Sequence, residues 1–174
     1  MKIKPNKIFF IKKIPIISSL LLITVSYVIP VPVGYAFNLP FVPILCLIGW
    51  TLLISNYFGI INVFLLGIFS DLLSGSPLGS NALLFILIYI VVNFFIKKFS
   101  NNKLLSNFLL AGSAIVIFYI LQLLFIIIYF GLLPDLNYFL FNLLLSIALY
   151  PTFYVILVWL HKYIRPNFFQ NQNV

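Results

Sequence analysis

Charge is what this sequence has least of. Only 7% of its 174 residues are charged, against 64% that are hydrophobic. A soluble domain carries about 25% charged residues, because its surface is wet. A chain this poor in charge cannot cover itself with polar groups, so it is expected to be an integral membrane protein. Acids are scarcer still. Asp71 and Asp135 are the only two, there is no Glu, and there is one His. That excludes multi-carboxylate metal clusters and most acid–base machinery, so neither a metal nor a cofactor is expected. The single Cys excludes an internal disulfide framework. The length fits one domain. Aromatics are plentiful, with 20 Phe and 10 Tyr, as suits lipid-facing and interfacial positions.

The net charge of +8 could suggest nucleic acid, but the position of the charges argues against it. All ten basic residues fall in three blocks. The first is Lys2, Lys4, Lys7, Lys12 and Lys13. The second is Lys97, Lys98 and Lys103. The third is Lys162 and Arg165. Cytoplasmic loops collect Lys and Arg, so all three blocks are assigned to the cytoplasm. Each stretch between them then crosses the membrane an even number of times. No nucleic-acid partner is expected; the basic blocks face membrane lipid.

A helical span needs about 20 residues, and shorter ones occur. Residues 14–96 hold four spans. The first covers 14–31 and ends at Pro30 and Pro32, which cannot continue a helix. The second starts at 39 or 41 and ends at 55. The third covers 60–74 and is broken by Ser74-Gly75-Ser76-Pro77-Leu78-Gly79. The fourth covers 81–96. Merging the second and third into one helix over residues 41–74 would give a rod of about 51 Å, too long for the bilayer. The fifth span covers 108–130, Gly131, Pro134 and Asp135 make a turn, and the sixth covers 138–160 with Pro151 inside it. Proline there is expected to kink the helix. The layout is all-α and polytopic: a basic cytoplasmic segment at 1–13, a six-span domain at 14–161 and a cytoplasmic tail at 162–174. Both Asp residues lie on the outer side. The first span is expected to stay uncleaved, since no small-x-small site follows it and the Pro pair disfavours one.

Polar groups within spans show which faces are buried, since lipid disfavours them. In the third span Gly59, Val63, Gly67 and Asp71 are each four apart, with Asn62, Ser70 and Ser74 close to the same stripe. Small residues let helices approach closely. Two readings stand for Asp71. Either it accepts hydrogen bonds from the 74–80 turn or Asn81, or it contacts a ligand or partner. Weaker stripes run through Asn81, Phe85, Tyr89 and Asn93, through Tyr119, Gln122 and Tyr129, and through Asn142, Ser146, Tyr150 and Tyr154. Inter-helix hydrogen bonds or a substrate cavity would use the same residues. His161 is expected to complement a helix C-terminus at the cytoplasmic side. Cys46 reads as a small hydrophobe. Trp50 and Trp159 read as interfacial belt residues.

One segment goes beyond composition. Gly67-Ile68-Phe69-Ser70-Asp71-Leu72-Leu73-Ser74-Gly75-Ser76-Pro77-Leu78-Gly79-Ser80-Asn81-Ala82-Leu83 resembles the signature of the MreD family of bacterial rod-shape-determining membrane proteins. The family pattern G-x-x-x-D-L-L-x-G-x-x-L-G-x-x-A-L is met at each fixed position. Before the second span, Asn38-Leu39-Pro40-Phe41-Val42-Pro43 has no acid, where members of that family often carry Pro-Asp-like chemistry. The resemblance implies a non-enzymatic scaffold of the cell-elongation machinery in the bacterial inner membrane. It implies an MreC-type protein as partner, and indirectly MreB-type filaments and peptidoglycan synthases. Gly67, Asp71, Gly75, Pro77, Gly79 and Asn81 become its structural or partner-contact candidates. The family fold is also similar to the six-helix substrate-binding subunits of energy-coupling-factor vitamin transporters. That likeness supplies a second expectation, a small-molecule-binding transport subunit. An intramembrane enzyme lacks the residues it would need.

Overall fold

The computed structural model describes residues 5–28, 41–54, 58–98, 104–131 and 133–164. Pro30, Pro32, the 29–40 connection, Lys103, Arg165 and the 167–174 tail lie outside the described residues. Six helices follow one another: α1 (Pro5–Val28), α2 (Val42–Ile54), α3 (Ile60–Ser74), α4 (Ser80–Lys98), α5 (Leu104–Phe130) and α6 (Leu136–Ile164). Two stretches, Ser106–Phe130 and Leu136–His161, are long and apolar enough to cross a membrane, with mean hydropathies of 2.5 and 2.1. Ile14–Val28, Val42–Ile54, Ile60–Ser74 and Ser80–Ile96 are shorter apolar helices.

The helix bounds differ from the sequence expectation mainly at the ends. α1 starts at Pro5 rather than at residue 14, so part of the basic segment is helical. Proline suits the first helical position, where its missing N–H has no partner to lose. Pro15 lies inside the same helix, and the hydroxyls of Ser18 and Ser19 donate to its carbonyl at 3.1 and 2.7 Å. α5 and α6 each extend beyond the expected spans, and α6 runs through Pro151 as one helix.

α2 sits at the centre and packs against each of the other five helices. It has 13 residues and is buried on nearly every side. An all-round apolar helix belongs in a core. Its length, about 20 Å, is less than the hydrocarbon thickness of about 30 Å. Shielding by its neighbours removes the need for it to match the bilayer. Trp50, on α2, is only 1% exposed. The belt assignment of Trp50 is therefore corrected: its ring faces the interior and meets His161 edge-on at a centroid distance of 6.4 Å. Trp159 is 65% exposed. Cys46 is fully buried in α2.

The outer surfaces of the other helices are apolar and exposed. On α3, Val63, Leu66, Gly67, Ser70 and Asp71 are buried, while Ile61, Phe64, Leu65 and Leu72 are exposed. This 3–4 spacing is one face of a helix. Gly59 heads α3 without a side-chain cap. The aromatic residues Phe41, Phe85 and Phe118 knit the starts of α2 and α4 to the middle of α5, with centroid distances of 5.4–6.1 Å.

Candidate functional site

The α3–α4 hairpin is held by one carboxylate. Asp71 sits on the last turn of α3 and is 1% exposed. Its Oδ1 accepts from Ser76 Oγ at 2.8 Å, Asn81 N at 2.9 Å and Ser80 Oγ at 3.1 Å. Its Oδ2 accepts from Gly79 N at 2.8 Å. Asn81 Nδ2 also donates to Ser76 Oγ at 3.2 Å, and Ser74 Oγ pairs with Ser76 Oγ at 2.8 Å. The acceptor thus lies at the N-terminus of α4, where backbone N–H groups lack helical partners and the helix dipole favours negative charge. Hydrogen bonds to an ionised acceptor are about twice as strong as neutral ones. Backbone at membrane depth must find its partners inside the protein, and Asp71 supplies them to the turn.

The glycines of this segment fill three different needs. Gly75 closes α3 with φ 67° and ψ 17°, the left-handed conformation that terminates many helices. Gly79 has φ 95°, which points its N–H at Asp71. Gly67 faces Ala82 across the hairpin. A Cβ built on Gly67 would overlap the Ala82 Cα and lie 2.7 Å from the Ala82 nitrogen. Only a hydrogen fits there, so α3 and α4 meet backbone to backbone. Pro77 contributes its carbonyl, which accepts from Ser80 N at 3.1 Å. Gly67, Asp71, Gly75, Pro77, Gly79 and Asn81 are therefore brought together in one hairpin. Leu72, Leu73, Leu78 and Leu83, the leucines of the same motif, are exposed.

A second feature lies where α5 turns into α6. A cavity of about 500 Å3 opens there, lined by Phe41, Tyr119, Gln122, Ile126, Pro134, Asp135, Tyr138, Phe139 and Asn142. Gly131, with φ 66°, starts the turn. Tyr119 Oη pairs with Ser146 Oγ at 2.9 Å and donates to the Asn142 carbonyl at 3.2 Å. These bonds lock α5 to α6 beneath the cavity. Asp135 Oδ1 accepts from Asn137 N at 3.1 Å. The stripes of α5 and α6 pointed to Tyr119, Gln122 and Asn142. Phe41 and Phe139 carried no polar signal, and their convergence came only with the fold. Tyr129, the third member of the α5 stripe, is exposed near the end of the helix and does not line the cavity.

His161 is buried beside Trp50, at the opposite end of α6 from Asp135. Among the described residues no three His, Cys, Asp or Glu side chains come together. No curated protein and no solved structure matches the chain, so the likeness to vitamin-transporter subunits gains no support. The family described as rod shape-determining protein MreD matches residues 7–163. With that match covering most of the sequence and the signature hairpin folded around Asp71, the chain belongs to the MreD family of non-enzymatic, polytopic rod shape-determining membrane proteins.

Proposed function

We propose that the chain is a membrane scaffold of the bacterial cell-elongation complex. It acts in cell shape and lateral peptidoglycan synthesis by lateral contact with an MreC-type partner, and through it with MreB-type filaments and peptidoglycan synthases. The observation that carries this reading is the α3–α4 hairpin. Its carboxylate is occupied by its own turn, and its outward leucines are exposed. A braced hairpin with an apolar outer face suits association with another membrane helix.

The proposed topology places the chain in the inner membrane as six spans with both termini in the cytoplasm. The grouping of all ten basic residues in three blocks supports it. The hairpin and the α5–α6 turn then face outward, where an MreC-type protein would present its extracytoplasmic part. The lysines of the first segment lie at the anionic leaflet, each contributing up to about 1 kcal/mol of attraction.

Co-purification in detergent tests the proposal. An MreC-type protein from the same cells is expected to remain with the chain, and depletion of the chain is expected to round rod-shaped cells. Leu72→Lys together with Leu78→Lys should weaken the complex while leaving the unfolding midpoint of the purified chain unchanged. Tight binding of a vitamin with co-purification of an ATPase module would replace the scaffold by a transport subunit.

A further inference from the structure

We infer that the cavity at the α5–α6 turn is a binding site for an organic ammonium group. Its volume, about 500 Å3, falls in the range of about 300–1,000 Å3 typical of small-ligand pockets. The lining chemistry selects the ligand's charge. Phe41, Tyr119, Tyr138 and Phe139 bring four aromatic rings to the cavity, with Asp135 at the turn. Aromatic faces carry negative electrostatic potential and attract ammonium groups. The Asp135 carboxylate adds a full negative charge, and its one side-chain hydrogen bond among the described residues, from Asn137 N, leaves acceptor capacity over.

Two further observations point the same way. Residues 104–161 contain one charged residue, Asp135, and no Lys or Arg; the one cation on α5 or α6, Lys162, is at the opposite end of α6 from it. Gln122 lines the cavity, and its Oε1 is buried without a hydrogen-bond partner among the described residues. A buried acceptor of this kind is satisfied by a donor, and an ammonium N–H is one. An anion would meet the Asp135 carboxylate and the negative faces of the rings, with no Lys or Arg in the lining to receive it. A purely apolar ligand would leave Gln122 and Asp135 unused. The ammonium can come from a zwitterionic lipid headgroup entering from the bilayer, or from a soluble amine. Both present the same chemistry to the cavity.

The test uses the full chain in a neutral detergent and native mass spectrometry. The probes are lysophosphatidylethanolamine, lysophosphatidylglycerol of the same chain length, and ethanolamine as competitor. The ethanolamine-headed lipid is expected to be retained at least tenfold more than its glycerol-headed counterpart. Asp135→Asn keeps the acceptor for Asn137 N, and Gln122→Leu removes a buried oxygen with no hydrogen-bond partner among the described residues, so both variants should keep the wild-type unfolding midpoint. Each should lower retention at least fivefold, whereas Tyr129→Ala, on an exposed ring outside the cavity, should not. Competition by ethanolamine at matched concentration assigns the site to a soluble amine; no competition assigns it to the lipid headgroup. Equal retention of both lipids, no retention of either with no ethanolamine adduct, or unchanged retention in both variants overturns the inference.

Discussion

Asp71 shows how one side chain can set the geometry of a membrane hairpin. In the sequence it is an acid near the end of an apolar span, a position that lipid makes costly. In the fold its two oxygens take two hydroxyls and two backbone N–H groups. Asn at this position keeps one acceptor but turns an amide N–H toward one of those donors. Hydrogen bonds to charged groups contribute about 1.5–3 kcal/mol each, so Asp71→Asn is expected to cost about 2 kcal/mol. Asp71→Ala strands the Gly79 and Asn81 N–H groups and should cost more. Thermal unfolding in detergent should rank wild type above Asn and Asn above Ala. Were Asp71 instead a partner contact, Asp71→Asn would leave the midpoint unchanged and abolish co-purification alone.

At the scale of the element, α3 and α4 are short helices that depend on close contact. Gly67→Ala places a methyl against the Ala82 backbone, and overpacking of this kind costs about 1–3 kcal/mol. Gly112, on α5, has open space where a Cβ would go. Gly112→Ala should therefore be neutral or stabilise by up to about 1 kcal/mol, through helix propensity alone. Detergent unfolding of the pair separates packing from propensity, and equal behaviour would refute the close approach. By itself the stripe through Val63, Gly67 and Asp71 leaves Leu66 outside the buried face, where Phe would be tolerated. The structure corrects this: Leu66 is 1% exposed and belongs to the core. The buried face is wider than a stripe of every fourth residue, because positions three apart share it. Leu65, 53% exposed, is the position where Phe should be accepted.

At the scale of the whole molecule, the central placement of α2 leaves the outer helices to meet lipid. The apolar exposed faces of α1, α3, α5 and α6 agree with that. The topology is tested with single cysteines. After Cys46→Ala, a Cys at Asn137 should react with an impermeant reagent added outside intact cells, and a Cys at Asn101 should be protected. The reverse pattern would invert the chain in the membrane.

Composition alone determined that this is a membrane protein, because too few charges exist to wet a soluble surface, and the lengths of its apolar runs made it helical. Local sequence also determined the hairpin. Gly75, Pro77 and Gly79 break the helix, and Asp71 is close enough in the chain to reach the turn, so the partners could be named in advance. The tertiary structure decided what depends on distant segments. It placed α2 inside, which periodicity could not reveal, since an all-round apolar helix has no distinct face to read. For the same reason it decided that Trp50 is core and Trp159 surface. The aromatic cavity also needed the fold. Phe41 and Phe139 lie almost a hundred residues apart, and only packing of α2 against α5 and α6 brings their rings to one Asp135-bearing turn.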